Sequence, residues 1–153
     1  MKELAILYRA AQFAAHQAHQ EVCGESFFSD HAYLGELYET YTNAYDSLIE
    51  RMIGCKEKPD ILEINKEAMV EYELVDCCDW VKSMYKFEAD FQKEIETLTK
   101  DKMSQGSLNL LAQLADESEV RSYKLGQRME EEKEETMEGE TTDELTTEPK
   151  QDI

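Results

Sequence analysis

Residues 31–53 read HAYLGELYETYTNAYDSLIERMI, an unbroken helical pattern. Leu34, Leu37, Tyr38, Tyr41, Tyr45, Leu48, Ile49 and Met52 recur at the three- and four-residue spacing that lines one face of an α-helix. Ser29 or Asp30 just ahead suits an N-cap, and Gly54 just behind suits a stop. A helix of this kind, apolar on one face, needs other helices to cover that face.

The flanking sequence supplies them. Upstream, Leu4, Leu7, Ala11, Ala14, Ala15, Ala18 and Val22 predict a helix over Glu3–Val22, interrupted at Gly24. Downstream, Trp80, Val81, Met84, Phe87, Phe91, Ile95 and Leu98 predict a third helix over Val75–Lys102. Gly106 and Ser107 break the pattern. Leu110, Leu111, Leu114, Val120, Leu125 and Met129 then predict a fourth over Leu108–Met129. The connection from Cys55 to Glu73 is long for antiparallel neighbours. Its segment after Pro59, DILEINKE, predicts a short helix. The expected fold is all-α: residues 1–129 as a ferritin-like four-helix bundle, with a short helix in the long crossover between helices two and three.

Residues 130–153 are acidic, polar and nearly free of large apolar side chains, and are expected to form a disordered acidic tail. The whole chain carries a formal net charge of −19. That charge argues against direct DNA binding, which needs Lys and Arg to displace phosphate counterions; metal cations are the better partners. The opening MKELAILYRAAQ has no signal-peptide pattern, and no stretch approaches 18 apolar residues. Cys23, Cys55, Cys77 and Cys78 lack CxxC or metal-finger spacing. They read as buried or partly buried free thiols in a reducing, cytoplasmic setting.

Candidate ligands are few and clustered. His16 and His19 share one side of the first helix; Asp46 and Glu50 share one side of the second. Imidazoles and carboxylates together suit iron, zinc or manganese. His31 and Asp46, 15 residues apart, stand about 22 Å apart along one straight helix. A metal–ligand bond is about 2 Å long. If both serve one ion, a second subunit supplies half of the site, and two-fold symmetry makes two equivalent sites. No Glu-x-x-His occurs, which disfavours a centre inside one bundle. His16 reads as structural or exposed, and the tyrosine series on helix two as packing. Asp116, Glu117 and Glu119 suit either an exposed polar face or an ion-conducting pore in an assembled shell.

The stretch from His19 to Arg51 resembles the Dps proteins, the starved-cell DNA-protecting members of the ferritin superfamily. It has a histidine (His19), twelve positions to a second (His31), fifteen to an Asp (Asp46), four to a Glu (Glu50) and then Arg51. Gly24 and Phe27 or Phe28 also sit where that family has Gly and Phe. Later segments are similar more loosely, and the resemblance spans about residues 3–129. It implies a hollow shell of twelve subunits that oxidises ferrous iron with hydrogen peroxide or oxygen and stores ferric mineral inside. It implies ferroxidase sites between two-fold-related subunits, with His19 and His31 from one chain and Asp46 and Glu50 from its partner. Glu50 would be the bridging ligand, and Arg51 a structural ion pair. The chain departs from the family at Gln20, where a tryptophan is common, and at Gly35, where an Asp or Glu is usual. Glu36 is turned about 100° further round the helix. Gly35 thus implies one iron held tightly and a second weakly. Two alternatives differ in kind: a non-catalytic ferritin-like shell or metal-binding protein, and a monomeric or dimeric helical interaction domain.

Overall fold

The computed structural model describes residues 1–76 and 78–143, residues 131–143 through their backbone alone. Among the described residues there are five helices and no strand: α1 (Lys2–Glu21), α2 (Phe27–Gly54), α3 (Ile61–Glu73), α4 (Trp80–Leu98) and α5 (Gln105–Asp143). No helix among them is long and apolar enough to cross a membrane.

α1 is the central element, in contact with α2, α3 and α4, while α4 also packs on α5. Composition explains why. Ala5, Ala10, Ala11, Ala14, Ala15 and Ala18 are all buried, so small side chains let neighbours approach α1 from several directions. The core between α1, α2 and α4 is aromatic. Tyr8 stacks on Phe91 with centroids 3.9 Å apart, and Tyr41 meets Phe91 edge-on at 5.7 Å. The expected faces of α2 and α4 lie inward, with Tyr38 and Ile49 partly buried. Val120 is the exception, half exposed on α5.

Helix limits differ from expectation where a cap decides. Neither Ser29 nor Asp30 caps α2, which already starts at Phe27; Asp30 lies in its first turn, buried beside Arg128 at 3.4 Å. α4 begins at Trp80 rather than Val75, because Asp79 accepts from the Lys82 amide and Asp76 accepts from the Cys78 amide. α5 begins at Gln105, not Leu108. The Ser104 hydroxyl accepts from the Ser107 amide, and Gly106 is helical rather than a break. At the other end α5 continues through residues 130–143, where a disordered tail was expected to start. Residues 144–153 of that tail, and Cys77, lie outside the described residues. Cys23, Cys55 and Cys78 are free thiols, and all three are exposed rather than buried.

The crossover carries α3, a 13-residue helix capped by Asp60, whose carboxylate accepts from the Glu63 amide at 3.0 Å. Ile64 and Ala68 bury against α1. Lys2 pairs with Glu67 at 2.8 Å, and Arg9 donates to Asn65 at 3.1 Å.

Candidate metal centre

α1 and α2 are joined by a tight link in which Gly24 adopts φ 97°, a left-handed conformation that suits glycine. The link folds α2 back onto α1. His19, in the last turn of α1, thereby meets His31, in the second turn of α2. Their ring centroids are 3.8 Å apart. His19 Nδ1 lies 2.8 Å from the His31 carbonyl oxygen. A carbonyl can only accept, so Nδ1 carries the proton, and a neutral His19 ring keeps its lone pair on Nε2. Metal-binding histidines are commonly held this way, with the second ring nitrogen donating to a carbonyl.

Gly35 lies directly beneath this ring. A Cβ there would stand 3.5 Å from His19 Cε1 and 3.6 Å from Nδ1, ordinary van der Waals contact. The position where a carboxylate is expected from the resemblance therefore does face His19, and it presents no side chain. Tyr38, one turn on, places its ring 5.4 Å from His19 and 4.6 Å from His16. Phe27 closes the other side, 5.1 Å from His31.

Asp46 and Glu50 are exposed on the same α2 helix. Because α2 runs unbroken from Phe27 to Gly54, His31 and Asp46 stay about 22 Å apart within one chain. Among the described residues no three His, Cys, Asp or Glu side chains converge to hold a metal ion. Arg51 does not make its expected ion pair among the described residues. Its guanidinium lies over Gly106, where a Cβ would come within 2.8 Å of Nη1. Glu50, Arg51, Cys55 and Leu110 line a shallow pocket of about 360 Å³ beside it.

The sequence reading missed a buried polar network at the centre of the helices. Glu88 is fully buried and accepts from Tyr41 at 2.6 Å and from Arg121 at 2.7 and 3.1 Å. Burial lowers the Arg121 pKa, but hydrogen bonds and charge from Glu88 outweigh it and hold the guanidinium above its ordinary value. Burial, followed by the Glu88 charge, raises the Tyr41 phenol well above its usual value. Both charged residues were visible as intrusions into apolar stripes: Glu88 between Met84 and Phe91, Arg121 between Leu114 and Leu125. Glu88 and Arg121 thus neutralise each other between the helices. Asp116 and Glu117 line a groove of about 550 Å³ between α2 and α5, where Glu117 lies 3.8 Å from Arg121.

No family model, curated protein or solved structure matches this chain. Its chemistry is therefore argued from the site: two imidazoles held together at the junction of α1 and α2, and two exposed carboxylates further along α2.

Proposed function

We propose that the chain is a ferritin-like, Dps-type subunit that oxidises ferrous iron between two copies of itself and stores the ferric product in a shell. The observation that carries this reading is the imidazole pair: His19 and His31 side by side, with His19 Nδ1 tied down and Nε2 available. Two-metal sites hold their ions about 3.5–4 Å apart. The 3.8 Å ring separation suits two neighbouring ions, each taking one imidazole. Asp46 and Glu50 of an antiparallel second copy would complete the set, since one copy cannot bring them to His31. Iron is the substrate. One peroxide takes one electron from each of two ferrous ions and, with two protons, leaves two ferric ions and two waters. The protein's part is to hold both ions beside the oxidant in fixed geometry, with carboxylates favouring the ferric product. A cytoplasmic setting and a twelve-chain assembly belong to the same proposal.

Gly35 favours a second reading, a non-catalytic shell or metal-binding protein, because the face beneath His19 offers no carboxylate. Anaerobic ferrous titration followed by peroxide separates the two. Fast ferric absorbance that saturates at a defined iron-to-chain ratio, and that is lost in Glu50→Gln and His19→Gln, supports the ferroxidase. Oxidation no faster than in buffer leaves the non-catalytic shell.

A further inference from the structure

His16 stands outside the ligand set above, yet it belongs to the same cluster of rings. It lies one turn before His19 on α1, exposed, with its centroid 6.5 Å from that of His19. Both imidazoles rest against Tyr38, at 4.6 and 5.4 Å, so one aromatic wall bounds the space between them. Beyond that ring contact, the His16 imidazole has a long 3.5 Å polar contact with Gln20 Nε2. Gly35, one turn before Tyr38 on α2, adds no side chain against the His19 ring.

We infer that His16 and His19 chelate one divalent transition-metal cation within a single chain. Zinc-like ions bind imidazole nitrogen at about 2.0–2.1 Å, and two imidazoles sharing a tetrahedral ion have centroids roughly 5 Å apart. His16 is exposed and can turn to close that gap, whereas the Nδ1 contact with the His31 carbonyl already orients the His19 ring. The His19–His31 pair, at 3.8 Å, is too close for such sharing. Two protein ligands leave the remaining positions to water, and imidazole pairs favour zinc, cobalt or ferrous ions over magnesium or calcium. The chelate needs no carboxylate and no second copy, but it draws on the same His19 Nε2 as the two-copy site proposed above, so a zinc ion held there would compete with ferrous iron for that ring.

The test is zinc titration of the full-length, iron-free protein, followed by calorimetry and by protection of histidines from diethyl pyrocarbonate, mapped by mass spectrometry. Zinc is expected to protect His16 and His19 together at the same metal-to-chain ratio. His16→Gln is expected to weaken zinc binding about tenfold or more. The double variant Asp46→Asn/Glu50→Gln is expected to keep it within about threefold. Protection of His19 with His16 still reactive, unchanged affinity in His16→Gln, or no zinc binding at all would each overturn the inference. Failure of the ferroxidase reading looks different: the double carboxylate variant would oxidise iron like the parent while zinc binding stayed intact.

Discussion

Gly35 has no side chain, and that lack decides what can face His19. Its place beneath the His19 ring leaves ordinary contact room for a Cβ. Asp is also no worse than Gly inside a helix. Gly35→Asp should therefore fold normally and place a carboxylate against the imidazole pair. The expected result is ferrous affinity raised by about tenfold at unchanged or slightly higher Tm, read by anaerobic calorimetry. Unchanged affinity would mean that iron does not bind on this face. The buried tyrosines make a second residue-level prediction. Burial raises the phenols of Tyr8 and Tyr41 well above their ordinary value, and pushes Tyr33 up to about 12. Their folded pKa values exceed the unfolded value of about 10, so their contribution to stability is complete below that pH and is lost as pH rises through the folded values. Denaturant stability is expected to fall above about pH 10, with the phenolate absorbance of these three appearing together with loss of helical dichroism. Their ionisation in a chain that stays fully helical would contradict this.

Among the elements, α3 is the one whose position rests most on polar contacts. Its fully buried side chains are Ile64 and Ala68; partly buried Tyr72 meets Phe13 and donates to Gln17, and the Asp60 cap and the Lys2 and Arg9 contacts add to these. Asp60→Ala is expected to cost about 1 kcal/mol, with faster amide exchange confined to the first turns of α3. A uniform change along the whole chain would argue against a local cap. The same chemistry explains which helix limits were legible in advance. Apolar periodicity found the four long helices, but it started α4 five residues early and ended α5 at Met129, well short of Asp143. Asp79 and Ser104 moved the starts of α4 and α5, because a side chain one turn ahead satisfied an amide that periodicity cannot see. The end of α2 is closed with Lys56 at φ 65°, two residues after the expected glycine stop. Glu57 N–H reaches back to the Met52 carbonyl across that turn.

At the scale of the whole molecule, the proposed function requires copies of the chain to meet. Exposed Leu62, Met69 and Val70 on α3, and Phe28 at the start of α2, are apolar surface that a lone subunit leaves in water. Light scattering of the purified protein is expected to give a mass near twelve times the 17.8 kDa chain. A monomer that still oxidised iron would remove the two-copy site. The all-helical class, the inward faces of α2 and α4, and the residue types of the candidate centre were all determined by local order along the chain, since a 3.6-residue period and ligand chemistry are properties of neighbours in sequence. The tertiary structure added what depends on distance between helices. It set His19 against His31 and His16 around Tyr38, emptied the face above Gly35, and sealed Glu88 with Arg121 and Tyr41 in the interior. Those pairings join residues up to tens of positions apart. They follow from how the turn at Gly24 and the alanine-lined α1 bring helices together, and no local pattern encodes that.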